Sequence, residues 1–322
     1  MPLLNRIKIV QKNRRRLFWS ILIGCVAFNG VAYLSAYKLT HFLVLGQFGI
    51  GVTKPNSFRT PTDIGLTYHT HRIVIDRDRW LETWLIPVTN STTSKGMVIL
   101  FPGSQSSKAR QLLAPAQVFH DLGYETLLVD FQGVGGSSGN TNTIGMREAK
   151  DVALSVDYAR KLVDEHAGKY SYKPPVILYG ISMGSAAILR AIAQEKVHPD
   201  AIILEEPFAR LVDAVGSRVR SNSIPAFPLA EAIVFWGGIQ HGFNGFAHNP
   251  VDYATQVHCP TLILQGELDQ WTTAAEIDRI YQNLRGTKQL SIFPHTGHNL
   301  LVTVDRNRWK QDVDKFLIKA GK

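Results

Sequence analysis

Cysteine is almost missing from this sequence: Cys25 and Cys259 are the only two in 322 residues. One lies in an apolar run and the other beside Pro260, which excludes a disulfide-stapled fold and leaves the redox compartment unread. No repeat of fixed period and no low-complexity tract occurs, so solenoids and fibres are excluded. His69 and His71 alternate on an expected strand with no third ligand at a recognisable spacing, and no metal is expected. The glycine-rich stretch 133–139 lacks the spacing and the acidic residue that dinucleotide binding needs; it reads instead as a tight turn over a site, and no cofactor is expected.

Charge is unevenly spread. The formal net charge is +9, and Arg6, Lys8, Lys12, Arg14, Arg15 and Arg16, all ahead of any acidic residue, carry six of those positive charges. A nucleic-acid surface needs its basic patch on the folded domain, so no nucleic-acid partner is expected. Residues 17–37 then run without Asp, Glu, Lys or Arg. About 21 residues at ~1.5 Å rise match the ~30 Å hydrocarbon layer. Trp19, Tyr33 and Tyr37 lie toward its ends, and the heavier cationic flank precedes it. These features predict a single-pass signal anchor with residues 1–16 as a cytoplasmic basic arm and the remaining chain on the far side, periplasmic or extracellular if the source is bacterial. Two processing readings stay open: cleavage near Gly30 to Ala32, and lipid modification at Cys25 after Leu22-Ile23-Gly24.

Residues 38–65 read as a connector rich in turn formers, and 66–322 as the folded domain. Residues 71–76 and 81–87 are expected to form an antiparallel pair. Beyond them, short apolar runs at 97–101, 126–129, 176–179, 201–204, 261–264 and 290–293 alternate with longer helical patterns. Continuous apolar runs suit strands buried on both faces, so an α/β doubly wound, mostly parallel sheet is predicted.

Gly180-Ile181-Ser182-Met183-Gly184 follows one such run and opens an apolar helix over 183–195. A nucleophilic serine needs a sharp turn that lifts its hydroxyl above the strand ends, and a side chain at Gly180 or Gly184 would collide with backbone there. A neutral serine hydroxyl also needs a base and an orienting acid. Asp269, in Gly266-Glu267-Leu268-Asp269, is the expected acid, with Glu267 as alternative; His298, after Gly297, is the expected base, with His295 as alternative. Glu205 and Glu206, at another strand end, are placed to reach the site as well, but as paired carboxylates are expected to be structural, holding the loop that follows. The amides of Met183 and of Ser104, in Phe101-Pro102-Gly103-Ser104, are the expected oxyanion donors.

These motifs, with residues 130–139 and Leu204-Glu205-Glu206-Pro207-Phe208, make the chain resemble the α/β-hydrolase superfamily, particularly its serine aminopeptidase-like and Bem46-like branch. Gln132 and Phe101 depart from the arginine and histidine common at those places in similar sequences, which touches packing and pocket polarity rather than acyl chemistry. Residues 209–257 resemble the cap insertion of such hydrolases, and their aromatic content points to a small-molecule acyl substrate, lipid-like in one version. The expected function is a serine hydrolase, carboxylesterase- or lipase-like, acting on an ester, thioester or amide through an acyl-enzyme; a peptidase and a non-catalytic membrane-tethered binding protein are the alternatives. The oligomeric state is not legible.

Overall fold

The computed structural model describes residues 2–42, 54, 58–88, 94–165 and 174–321, with side chains from Asn13 onward. Half of the connector, including Gly46, Gly49, Gly51 and Pro55, lies outside them. Eight strands form one sheet: β1 (His69–Val74), β2 (Trp80–Ile86), β3 (Met97–Phe101), β4 (Glu125–Val129), β5 (Val176–Ile181), β6 (Ala201–Glu205), β7 (Thr261–Gly266) and β8 (Lys288–Phe293). Their spatial order is β1-β2-β4-β3-β5-β6-β7-β8. The two pairings that involve β2 are antiparallel and all the others parallel. Strands β3 to β7 are buried along their whole length, as their unbroken apolar runs require; the edge strand β8 alternates.

Ten helices follow the sequence as α1 (Pro2–Thr40), α2 (Leu113–Asp121), α3 (Glu148–Glu165), α4 (Met183–Gln194), α5 (Leu211–Arg220), α6 (Leu229–His241), α7 (Pro250–Tyr253), α8 (Ala274–Asn283), α9 (Leu301–Val304) and α10 (Arg306–Ala320) among the described residues. Strand side chains alternate between two cores. Ile177, Tyr179 and Ile203 face one with Phe119 of α2 and Trp309 of α10. Leu178, Ile202 and Leu204 face the other with α3, α4, α8 and the segment 211–257. The fold is that of the α/β-hydrolases, so the carboxyl ends of β3, β5, β6, β7 and β8 all open toward one edge.

Helix α1 is longer than the apolar run at both ends, taking in the basic arm and reaching Thr40. It carries the one described stretch long and apolar enough to cross a membrane, 13–40. Along 17–34 its large apolar side chains are exposed, whereas Ala32, Ala36 and Thr40, spaced four apart, are buried. That stripe packs against α6.

The glycine-rich turn has a specific load. Lys108 is fully buried, its Nζ 2.5 Å from Asp130 Oδ2 and 2.8 Å from Glu82 Oε1. A Cβ at Gly135 would lie 1.8 Å from Asp130 Oδ2, and one at Gly136 2.0 Å from Glu82 Oε1. The run therefore has no side chains there because it closes over this ion cluster. Gln132 makes two hydrogen bonds to Asp151, at 3.0 and 2.9 Å, and Phe101 stacks on Phe131 at 5.4 Å. Both sequence departures thus act in packing.

Candidate active site

Strand β5 passes directly into α4 through Ser182, whose backbone sits at φ 51°, ψ −106°. A non-glycine residue held there stores ~1–3 kcal/mol of strain, sustained only where the surroundings fix it. The surroundings do so. Ser182 N–H donates to Glu205 O at 2.7 Å, Ala186 N–H donates to Ser182 O at 3.1 Å, and Ser185 Oγ donates to Gly180 O at 2.6 Å. A Cβ at Gly180 would approach Gly184 C to 2.5 Å, and one at Gly184 would approach Phe101 O to 2.6 Å. Glycine at both positions is a steric requirement of the turn.

Asp269 lies on the loop that leaves β7 and His298 on the loop that leaves β8. His298 Nδ1 stands 2.7 Å from Asp269 Oδ2. The carboxylate also accepts from Trp271 N–H at 2.7 Å, Thr272 N–H at 3.0 Å and Thr272 Oγ1 at 2.6 Å. Burial pushes the Asp269 carboxyl up, but the hydrogen bond and charge of His298, with the Thr272 donors, outweigh it, and the group stays below its ordinary value. Glu267 accepts from His295 N–H at 2.9 Å, so the two alternative candidates hold each other's loop rather than joining Asp269 and His298.

The structure brings Asp269 and His298 into direct contact; it does not join the Ser182 hydroxyl to His298 by a hydrogen bond. The two are linked instead through consecutive residues, since Ser182 is tied to Glu205 and Glu206 touches the imidazole. Catalytic hydrogen bonds are often long before substrate arrives. Ser104 and Met183 lie on the two segments that Gly184 brings together, the loop after β3 and the first residue of α4. Among the described residues no protein acceptor takes either amide, whereas Gly103 N–H donates to Gln111 Oε1 at 2.7 Å.

Four neighbours complete the surroundings of this pair. Glu205 is structural, accepting from Tyr179 OH at 2.7 Å, Trp309 Nε1 at 3.0 Å and Leu301 N–H at 2.9 Å. Glu206 is not merely so: its Oε2 lies 3.2 Å from His298 Nδ1. Burial first, then the charges of Glu205 and Asp269, push its carboxyl up to about 10, so it holds a proton near neutrality and the contact is not an ion pair. Trp271 packs on the His298 ring at 5.1 Å, and the Arg218 guanidinium of α5 lies 5.0 Å from the Trp271 ring. Position at a strand end flagged Glu206; nothing flagged Arg218.

Glu206, Asp269 and His298 gather three potential metal donors within 4.8 Å. These atoms are engaged with one another and with their neighbours: His298 Nδ1 with Asp269 Oδ2, and Asp269 also with the donors of Trp271 and Thr272.

The sheet order and the strained turn are those of the α/β-hydrolase fold. Residues 92–234 match the family described as serine aminopeptidase, S33. An uncharacterized protein of Bacillus subtilis, YqkD, is 26% identical over 62% of this chain and 64% of its own length. The protein bem46 of Schizosaccharomyces pombe is 21% identical over 87% of this chain and 89% of its own. The lysophosphatidylserine lipase ABHD12 of Xenopus tropicalis is 25% identical over 48% of this chain and 37% of its own. The chain thus spans just under two thirds of the Bacillus protein and little over a third of the lipase. Pyrococcus furiosus esterase Pf2001 superposes with a TM-score of 0.65 at 19% identity, over 85% of this chain and 99% of that one. The chain has the α/β-hydrolase fold, and its sequence is similar to the Bem46 protein and, over a shorter stretch, to a lipase of that fold.

Proposed function

We propose that the chain is a membrane-anchored serine hydrolase that cleaves a carboxylic ester, or a related thioester or amide, in two acyl-transfer steps. The observation that carries this is the His298 Nδ1–Asp269 Oδ2 bond of 2.7 Å beside a serine held at φ 51° on a strand-to-helix turn. Asp269 fixes the imidazole with Nδ1 protonated, which leaves Nε2 as the base. His298 takes the proton as Ser182 Oγ attacks the carbonyl carbon and returns it to the leaving alcohol. Water then repeats the sequence on the acyl-enzyme. Met183 N–H and Ser104 N–H stabilise the oxyanion in both steps, and the dipole of α4 adds to them.

Arg218 favours an ester over a peptide substrate. A free peptide amine would call for a carboxylate from the cap, and the cap side chain stacked beside Trp271 is a cation. The exposed apolar flank of α1 supports its reading as a single-pass anchor, with the basic arm cytoplasmic and the hydrolase domain, residues 66–322 with its cap at about 209–257, on the opposite side. A fluorophosphonate probe should label the wild-type chain and fail to label Ser182→Ala with the fold intact by circular dichroism. Equal labelling of the two would refute the assignment.

A further inference from the structure

The cap carries a surface that the acyl chemistry does not use. From 221 to 251 the sequence holds a single charged residue, Glu231. Within it, α6 buries Ala230, Ile233 and Val234 against the domain, while Phe235 is 51% and Ile239 61% exposed. Phe227, just before the helix, is 75% exposed, and Phe246, just after it, 43%. Phe235, Ile239, Phe243 and Phe246 line an open groove of about 480 Å³. Scattered exposed apolar residues need no explanation, but a contiguous aromatic patch on a segment with almost no charge marks a contact surface.

What covers it is indicated by the helix it lies against. Trp236 Nε1 donates to Asn29 Oδ1 at 3.1 Å, Gln240 Nε2 donates to Tyr33 O at 2.9 Å, and Gly237 faces Ala36. The rings of Tyr33, Trp236 and Phe235 form one edge-to-face series at 5.6 and 5.3 Å. Asn29 stands eight residues before Tyr37, where the uncharged run ends. At ~1.5 Å per residue, that places Trp236 ~12 Å inside the end of the run. If α1 spans the bilayer, α6 cannot remain in water.

We propose that α6 and its flanking aromatics are a second membrane contact, with Phe227, Phe235, Ile239 and Phe246 seated in the bilayer that α1 crosses. The inference rests on the anchor reading above and goes beyond it. The cap is then held at the lipid surface, and amphiphilic esters dissolved in the bilayer meet it without first entering water. An exposed face of Phe and Ile with a single charged residue on the helix gains by leaving water for the acyl chains.

The test uses the full chain in phosphatidylcholine–phosphatidylglycerol vesicles. In a background with Cys25→Ala and Cys259→Ser, single variants Phe235→Cys, Ile239→Cys and Phe246→Cys are labelled with an environment-sensitive fluorophore. Lys315→Cys, exposed on α10 beyond the opposite face of the sheet, is the control. Carbonate extraction of the same vesicles reads the anchor independently. The expected result is a blue-shifted emission at the three cap positions, loss of most of it to lipids carrying a nitroxide on the acyl chain, and protection from aqueous iodide. The control should show the reverse. Water-like, iodide-quenched emission at the cap in a carbonate-resistant chain overturns the proposal and leaves the anchor standing. Protection without lipid quenching, together with cross-linking of Phe235→Cys between copies, assigns the face to a second copy and also overturns it. Release by carbonate refutes the anchor, and the cap contact with it.

Discussion

Glu206 Oε2 lies 3.2 Å from His298 Nδ1, on the same nitrogen that Asp269 engages at 2.7 Å. One imidazole nitrogen is thus faced by two carboxyl groups of opposite character. Asp269 is held ionised by its donors and Glu206 is held neutral by burial. Two full negative charges at that spacing would repel, and the protein avoids this by protonating the one with fewer donors.

Glu206→Gln should keep activity within ~10-fold, because a neutral amide reproduces the neutral carboxyl, while Glu206→Ala removes the acceptor that Asn299 N–H reaches at 3.4 Å and loses more. Stability gives the sharper readout. The folded pKa is raised above the unfolded one, so between about 4.5 and about 10 the native state keeps a proton that the unfolded chain releases. Wild-type stability therefore falls with rising pH across that window, by at most ~1.4 kcal/mol per pH unit. Glu206→Gln lacks this term, and its melting temperature should gain on the wild type as pH rises. Parallel melting curves across the window would sink the assignment of a neutral Glu206.

Asp269→Asn is expected to leave the loop folded, since the Trp271 and Thr272 amides still find an oxygen, but to reverse the hydrogen bond to Nδ1. The imidazole then holds the wrong tautomer, and kcat on a p-nitrophenyl ester should fall by ~10⁴. A fall of tenfold or less would move the role of the acid elsewhere.

Removing the cation of the buried cluster is a stability experiment. Lys108→Met leaves Asp130 and Glu82 facing one another under the glycine turn, and breaking such a pair from one side costs ~3–5 kcal/mol. Urea unfolding should show this loss, and Lys108→Met combined with Asp130→Asn should recover part of it. No recovery in the double variant would mean that the cost is one of packing.

Gly184→Ala tests the turn itself. Its new methyl would lie 2.6 Å from Phe101 O, with no flexible side chain to yield. Overpacking of this kind costs ~1–3 kcal/mol, and it spreads the loop after β3 from α4. Probe labelling of Ser182 should fall more steeply than stability; a variant that labels at the wild-type rate would show that the close approach is incidental.

Arg218→Gln is expected to change preference rather than rate. Loss of the guanidinium beside Trp271 should lower kcat/KM for acyl esters with an anionic leaving group, while that for neutral esters changes by less than ~3-fold, as charge-assisted contacts are worth ~1.5–3 kcal/mol and neutral ones less. An equal fall for both classes would reduce Arg218 to a support for the Trp271 ring.

The sequence by itself determined what rests on local pattern. Continuous apolar runs become strands wherever both sheet faces are covered, so β3 to β7 fell where the runs lie. The Gly180 and Gly184 pair could serve only a turn too tight for a Cβ, and a charge-free run the thickness of a bilayer showed itself without a partner. Tertiary structure alone decided what depends on meetings between distant segments. The second carboxyl on His298, the stack from Arg218 through Trp271 and the seat of α6 on Ala32 and Ala36 join residues up to about two hundred positions apart. Neither periodicity nor spacing encodes such contacts. They arise from how the sheet's strand order and the return path of residues 209–257 bring the chain back upon itself, and the same packing sets which of two neighbouring glutamates is a strut and which touches the His298 imidazole.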